Sequence, residues 1–265
     1  MIRWTPLRIA HAVDGEIVVH RDNHPVAGVA TDTRQPMPNA LFVALHGARF
    51  DGHDYLGAAI DSGARALLVD RREMIPDHMR ADVIVVEDTA RALMRLASAY
   101  RLELDAKVIG VTGSNGKTTV VRMLDAVLSA SLRGSVSPKS FNNHIGVPLT
   151  ILAAYPADQY LVSEVGMNAP GEIAPLSITL APDIAIITTI GHAHIGAFGS
   201  KVGIAREKAE ILRGLTPGGA GILNGDVPEL RPLLADRDDI TWFGTAAEND
   251  LRVSEIQAVA NGSTL

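Results

Sequence analysis

The fold of this chain is decided by the stretch Lys107-Val108-Ile109-Gly110-Val111-Thr112-Gly113-Ser114-Asn115-Gly116-Lys117-Thr118-Thr119. An apolar run leads into a glycine-rich turn, and an apolar-periodic segment follows the closing Gly-Lys-Thr-Thr. This order predicts a strand, a loop and a helix. The exposed N–H groups of such a loop, together with the N-terminus of the helix, form a site for phosphate.

Lys117 and Thr118 supply the side-chain chemistry of this loop. The lysine can place a positive charge on the outer phosphates of a nucleotide, and the hydroxyl can bind Mg²⁺. The usual P-loop has a glycine five residues before Gly116, where this chain has Val111. The alternative is a turn that only starts a helix, with Lys117 in solvent. The strand before the loop favours phosphate binding.

The composition excludes several classes of protein. A chain of 265 residues with 47% hydrophobic and 20% charged residues can build one large domain or two ordinary ones. The net charge of −6 argues against a nucleic-acid partner, and the absence of cysteine excludes disulfides and thiol chemistry. Residues 1–16 contain no unbroken apolar block, so we expect no secretory signal. We expect no membrane span, because the most apolar region, 180–199, contains Asp183, His192 and His194. We expect a cytoplasmic monomer.

Strands alternate with helices along the chain, which predicts an α/β fold with a mostly parallel sheet. We expect a small N-terminal α/β substrate domain over 1–101, a junction near 103–107, and a P-loop domain over 107–265. The predicted strands are Glu16–Val19, Leu41–Ala44, Ala66–Val69, Val83–Val86, Val108–Thr112, Tyr160–Val165, Ile184–Ile190, Gly221–Leu223 and one near Leu251–Val259. The predicted helices are His53–Ser62, Asp88 to about Tyr100, Thr118–Ala130, Val147–Ala153, Gly171–Leu180 and Lys201–Arg213.

Polar side chains follow the strands of the second domain, and ligands of parallel sheets gather at these carboxyl ends. Glu164 ends a strand, where its carboxylate holds Mg²⁺, is simply solvated, or forms an ion pair. His192 and His194 follow the next strand and share a side if the backbone stays extended. Asn142 and Asn143 precede a helix, where a turn is the simpler interpretation than a contact with phosphate.

Lys208 lies inside the apolar arc of the predicted helix Lys201–Arg213 at 100° per residue, whereas Glu207 falls on the polar side. A lysine turned toward the interior needs a partner or loses its charge, unless it snorkels along apolar surface to reach water. In the first domain, Thr31-Asp32-Thr33-Arg34 follows a short strand. Arginine suits bidentate phosphate recognition, and an ion pair in a surface turn is the alternative.

These segments together resemble the ATP-dependent Mur ligases of bacterial cell-wall synthesis, and most closely the branch that adds D-alanyl-D-alanine. The likeness runs through the loop Gly110–Thr119 and through Asp32-Thr33-Arg34, Leu41–Leu45 and Phe50–Asp54. It continues in Phe141–Thr150, Glu164–Asn168, Ala193-His194 and Lys208–Ile211. The order of these segments makes the resemblance specific.

The resemblance implies the roles of individual residues. ATP would be bound by Thr112, Gly113, Ser114, Asn115, Gly116, Lys117, Thr118, Thr119 and Asn143, and the UDP-sugar by Asp32, Thr33 and Arg34. Two Mg²⁺ ions would be held by Thr118, Glu164, His194 and Lys208, the last as a carbamate formed with CO₂. Lys117, Lys208 and His194 would be the catalytic residues.

The implied reaction joins UDP-N-acetylmuramoyl-tripeptide to D-alanyl-D-alanine through an acyl phosphate. The family continues beyond the position of Leu265, so we expect a fragment that binds its ligands weakly and makes no product alone. The alternatives are a Mur ligase that adds a single amino acid, a P-loop GTPase or kinase, and a non-catalytic nucleotide-binding module. The sequence contains no Asn-Lys-X-Asp guanine signature.

Overall fold

A computed structural model describes residues 1–47, 49–138, 140–193, 195–254, 257–259 and 262–264. The chain forms two compact units. The first unit comprises Met1–Ala106, Arg133–Ser135 and His144–Leu161, and the second comprises Lys107–Leu132, Val136–Asn143 and Val162–Leu265. Both contain a sheet and helices, so the predicted α/β class is confirmed.

The sheet of the first unit has five strands in the order β1-β5-β4-β3-β2. They are β1 (Glu16–Val19), β2 (Val29–Ala30), β3 (Leu41–Val43), β4 (Ala66–Val69) and β5 (Asp82–Val85). β1 runs antiparallel to β5, and the other neighbouring pairs are parallel. Strands β3 and β4 are buried along their whole length, as their unbroken apolar sequences require.

The helices of the first unit are α1 (Pro6–Val13), α2 (Leu56–Asp61), α3 (Thr89–Arg101) and α5 (Gly146–Ala153), and 3₁₀ turns span Gly52–Tyr55 and Arg72–Met74. Asp88 caps α3 as predicted, because its Oδ1 accepts a hydrogen bond of 2.9 Å from the Arg91 N–H. The helix predicted over 53–62 is a 3₁₀ turn followed by α2, and it ends before Gly63, whose φ is +102°. Helix α1 was not predicted, although Thr5 and Pro6 are typical of a helix start.

The larger sheet has seven strands in the order β12-β11-β10-β9-β6-β8-β7. They are β6 (Lys107–Thr112), β7 (Gly134–Val136), β8 (Tyr160–Glu164), β9 (Ile184–Ile187), β10 (Ala220–Asn224), β11 (Ile240–Gly244) and β12 (Leu251–Arg252). The neighbouring pairs β6–β9, β9–β10, β10–β11 and β11–β12 are parallel. This sheet lies in the second unit except for the first residues of β7 and β8. Beyond it, β13 (Gln257–Val259) and β14 (Gly262–Thr264) pair antiparallel.

The helices of the second unit are α4 (Lys117–Leu128), α6 (Ile173–Leu180), α7 (Ile195–Phe198) and α8 (Lys201–Ala209), with 3₁₀ turns at Glu210–Gly214 and Arg231–Leu233. Strand β7 was missed because Gly134-Ser135-Val136 has no apolar alternation, and β11 was also not predicted. No helix in the described part of the chain is both long and apolar enough to cross a membrane.

Candidate functional site

The loop from β6 to α4 adopts a backbone that glycine alone accommodates. Gly113 has φ +151° and Gly116, which caps α4, has φ +83°. Both values lie in the region that favours glycine. A Cβ on Gly113 would also lie 1.9 Å from Thr188 Oγ1, so no side chain fits there.

Two threonines that follow β9 hold this loop in place. The Ser114 N–H donates to the Thr189 carbonyl (2.8 Å), and the Thr188 hydroxyl donates to the Asn115 carbonyl (2.6 Å). Asn224, at the end of β10, donates from Nδ2 to the Thr188 carbonyl (2.9 Å). Sequence reasoning missed these supports. The available signal was the position of the threonines at the carboxyl end of the strand that pairs with β6.

Two hydroxyls of the loop segment are buried without a partner. Thr112 Oγ1 and Ser114 Oγ make no hydrogen bond to any described residue. An unpaired buried hydroxyl is costly. These two groups therefore suit a ligand that brings several acceptor oxygens, as a phosphate does.

Glu164, at the end of β8, is buried and fully engaged. Its Oε2 accepts from the Thr118 hydroxyl (2.6 Å), and its Oε1 accepts from Asn142 Nδ2 (2.7 Å). Its backbone N–H donates to Ser137 Oγ (3.1 Å). The solvated strand end considered for Glu164 is therefore wrong.

Asn142 lies in a turn and also holds the Glu164 side chain. Its N–H donates to the Ser140 carbonyl, as expected of a turn, and its side chain also fixes Glu164. Its carbonyl accepts from the Gly166 N–H (2.7 Å). A Cβ on Gly166 would lie 2.7 Å from Asn142 Cγ, so this glycine permits the close approach.

A hydroxyl and a carboxylate oxygen are the kind of ligands that Mg²⁺ prefers. Thr118 and Glu164 bring these oxygens together beside the loop. The donor chemistry of this pair therefore fits a magnesium ion. His194, the third predicted ligand, lies outside the described residues, and His192 is exposed beyond the end of β9.

A polar cavity of about 120 Å³ lies against the loop. It is lined by Gly113, Ser114, Lys117, Asn142, Asn143, Gly166, Met167, Asn168, Glu172 and Lys208. The second unit thus brings the loop, Asn143 and Lys208 to one cavity. The Lys117 ammonium donates a hydrogen bond to the Gly113 carbonyl (2.9 Å), and both residues line the cavity.

Lys208 is 3% exposed, which excludes a solvated or snorkelling side chain. The pKa of its amine is lowered to about 8, chiefly by burial and also by the positive charge of Lys117, while Glu207 opposes both effects. A substantial fraction of this amine is therefore neutral near that pH. The predicted burial of Lys208 is confirmed.

Glu207 is also buried, so its predicted place on the polar face is wrong. Its two carboxylate oxygens accept from the N–H groups of Gly171 (2.9 Å) and Ile173 (3.0 Å), at the start of α6. Val202, predicted to face inward, is exposed. The helical wheel failed at Glu207 because its partners, Gly171 and Ile173, belong to another segment that the periodicity of one helix does not reveal.

The first unit contains a separate cavity of about 430 Å³. It is lined by Thr31, Asp32, Thr33, Arg34, Phe42, Leu45, His46, Gly47, Phe50, Gly52, Tyr55 and Ile145. Arg34 pairs with both carboxylate oxygens of Asp32 in an exposed turn, and these hydrogen bonds lower the pKa of Asp32 to about 2. This pair uses Nε and Nη2 of the Arg34 guanidinium.

Comparison with known protein families finds one match in each half of the chain. Residues 111–265 match the sequence profile of the Mur ligase middle domain, and residues 25–101 match the Mur ligase family, catalytic domain. The UDP-N-acetylmuramoyl-tripeptide–D-alanyl-D-alanine ligase of Bacillus subtilis (strain 168) is 42% identical over 99% of this chain and 57% of the relative.

Solved structures agree with the sequence comparison. A crystal structure of MurF from Acinetobacter baumannii has a TM-score of 0.86 and 31% identity, over 99% of this chain and 60% of that chain. The MurF ligase of Thermotoga maritima in complex with ADP has a TM-score of 0.80 and 28% identity, over 90% of this chain and 55% of that chain. This chain thus spans little more than half the length of these relatives.

Proposed function

Because the chain belongs to the Mur ligase family, we propose that the whole protein adds D-alanyl-D-alanine to UDP-N-acetylmuramoyl-tripeptide with ATP, in peptidoglycan precursor synthesis. The names of the similar proteins support this substrate pair. The observation that carries the proposal is the single polar cavity that Lys117, Asn143 and Lys208 share beside the glycine loop.

In this proposal, the second unit binds ATP by its phosphates. The segment Thr112–Thr119 offers backbone N–H groups, the unpaired hydroxyls of Thr112 and Ser114, and the Lys117 ammonium. The ADP complex of the Thermotoga maritima relative supports nucleotide binding. The peptide carboxylate attacks the γ-phosphorus and ADP leaves. The amine then forms the amide bond as phosphate leaves the acyl carbon.

Thr118 and Glu164 are the proposed magnesium ligands, and His194 remains a predicted one. When bound, Mg²⁺ neutralises the charge that otherwise keeps two anionic substrates apart. Asn142 orients the Glu164 carboxylate through its hydrogen bond of 2.7 Å. Such partners tune metal ligands and set their direction.

Lys208 is the proposed site of a carbamate. Its neutral nitrogen attacks the carbon of CO₂, a proton leaves the nitrogen for solvent, and an N–C bond forms. The product replaces a buried cation by an anion with two oxygens, which suits a second Mg²⁺. The burial of the amine and its place in the polar cavity support this role.

The cavity of the first unit is the proposed site for the UDP-sugar, with Asp32, Thr33 and Arg34 at its wall. Binding the nucleotide end far from the reacting carbon would orient the peptide carboxylate. We infer a cytoplasmic location from the need for ATP. The expected monomer stays a prediction that light scattering of the purified protein tests.

The reaction is tested with the protein as its gene encodes it. We expect release of phosphate from ATP only when UDP-N-acetylmuramoyl-tripeptide and D-alanyl-D-alanine are both present. Lys117→Met should abolish this release, and Lys107→Met, at an exposed lysine of β6, should retain it. Equal turnover with a single amino acid in place of D-alanyl-D-alanine would assign the protein to another branch of the family.

The carbamate is tested without turnover. With ¹³C-labelled bicarbonate, the chain should show a carbamate carbon signal that disappears in Lys208→Met. Lys201→Met removes another lysine of α8 and should keep the signal. A signal that persists in Lys208→Met, or none in the unsubstituted chain, would contradict the proposed modification.

A further inference from the structure

Two histidines of the first unit stack between two carboxylates. The rings of His46 and His53 have centroids 4.9 Å apart and an interplanar angle of 23°. His53 is buried, whereas the side chain of His46 is 41% exposed. Asp51 lies at one edge of the stack and Asp70 at the other. The proposed reaction uses none of these four side chains.

The same nitrogen of each ring faces the same carboxylate. Nδ1 of His53 and Nδ1 of His46 lie 2.7 and 3.3 Å from oxygens of Asp51. Nε2 of His46 and Nε2 of His53 lie 2.7 and 3.3 Å from Asp70 Oδ1. The Asp70 N–H donates to Nε2 of His53 (3.2 Å), so this nitrogen is the unprotonated one of its ring, and its lone pair must leave that N–H when it binds a metal.

We propose that His46 Nε2, His53 Nε2 and a carboxylate oxygen of Asp70 form a binding site for a zinc-class divalent cation. The three ligand atoms lie within 4.8 Å of one another. Two imidazoles and one carboxylate are a common ligand set for zinc, with a fourth position left for water. Since His46 also lines the cavity of the first unit, the ion would lie at the wall of that cavity.

The spacing of the ligand atoms suits a tetrahedral ion. Neighbouring ligands of zinc at its usual bond lengths lie about 3.4 Å apart. The distance from His53 Nε2 to Asp70 Oδ1 is already 3.3 Å. The shorter contact of His46, 2.7 Å, must lengthen, and the exposed His46 ring has room to move. Its Nε2 proton passes to solvent when the ion binds.

The outer partners of these ligands are also in place. A histidine that binds a metal usually donates its other N–H to a carboxylate, and Asp51 stands at Nδ1 of both rings. Asp51 is itself held by the Arg71 guanidinium (2.7 Å). Asp70 Oδ2 accepts from the N–H (3.1 Å) and the hydroxyl (3.2 Å) of Thr89, which leaves Oδ1 turned toward the histidines.

The test is metal binding by the chain after treatment with a chelator. Zn²⁺ is titrated by calorimetry, and Co²⁺ is followed by its visible absorption as a tetrahedral complex. We expect one site that is lost in His46→Gln and weakened about 10–100-fold in Asp51→Asn. His11→Gln, at an exposed histidine of α1, should bind like the unsubstituted chain. His46 is preferred to His53 because its exposed ring can be replaced without opening the core.

Circular dichroism must show that each variant is folded. A Glu164→Gln variant separates this site from the proposed magnesium site, and it should keep the zinc-class site. The proposal is overturned if His46→Gln binds Zn²⁺ as tightly as the unsubstituted chain, or if binding disappears with Glu164→Gln. It is equally overturned if the folded chain takes up no Zn²⁺, since the four side chains are then a hydrogen-bond network only.

Discussion

At the scale of single residues, the contact between Thr118 and Glu164 is the main support for the proposed magnesium site. The sequence places a carboxylate at the end of β8, but the same position suits a solvated side chain. The structure excludes the solvated side chain because Glu164 is buried and receives a hydrogen bond from Thr118 and another from Asn142. Asn142 precedes Glu164 by 22 residues, so no local pattern predicts this pairing.

Glu164→Gln removes a charge without changing the shape of the side chain. A hydrogen bond or contact to a charged group is worth about 1.5–3 kcal/mol, which is about ten- to a hundredfold in Kd. We expect the Mg²⁺-dependent gain in nucleotide affinity to fall by this factor, measured by calorimetry with and without Mg²⁺. Glu248→Gln, at an exposed glutamate, is the control. An unchanged Mg²⁺ dependence would remove Glu164 from the proposed metal ligands.

At the scale of elements, α8 contains two adjacent buried ionisable residues, Glu207 and Lys208, which make different contacts. Lys208 faces the polar cavity, while Glu207 accepts two hydrogen bonds from the start of α6. A carboxylate near a helix N-terminus satisfies N–H groups that have no partner inside the helix and interacts favourably with the helix dipole. The sequence of α8 contains no sign of this task, because its acceptor role depends on a segment 34 residues away.

Glu207→Ala should therefore destabilise the second unit. The buried N–H of Ile173 loses its partner, which costs about 1–3 kcal/mol in the free energy of unfolding. Urea denaturation followed by circular dichroism measures this loss. Glu210→Ala removes a neighbouring, more exposed glutamate and should cost much less. Equal losses in the two variants would show that the contact with α6 is not what stabilises the unit.

At the scale of the whole molecule, the first unit is built from separate parts of the chain. Residues 144–161 return to it after the chain has formed the loop and α4. Helix α5, in this segment, packs against α3, and the Tyr100 hydroxyl donates to the Ala154 carbonyl (2.9 Å). Tyr100 therefore links parts of the unit that are 54 residues apart.

This buried link predicts a dependence on alkaline pH. Burial raises the pKa of Tyr100 to about 12, with a smaller contribution from Asp158. An unfolded tyrosine ionises near pH 10. The contribution of Tyr100 to stability is thus complete below about pH 10 and is lost as the pH rises through 12.

Spectrophotometric titration should resolve one tyrosine that ionises later than the others, and Tyr100→Phe should remove that step. The same variant should lower the free energy of unfolding at neutral pH by about 1 kcal/mol, the value of one hydrogen bond. Tyr155→Phe, at an exposed tyrosine, is the control for both measurements. A late step that survives Tyr100→Phe would contradict the assignment.

The sequence by itself determined the alternating strands and helices and the glycine loop, because periodicity and glycine act over a few neighbouring residues. It also placed Lys208 in the interior, since that position depends on the geometry of one helix. Only the tertiary structure decided the supports of the loop at Thr188 and Thr189, the task of Glu207, and the stack of His46 and His53. The supports of the loop depend on strand order, which sets β9 beside β6. The other two contacts join side chains from different segments, which the periodicity of one segment does not relate.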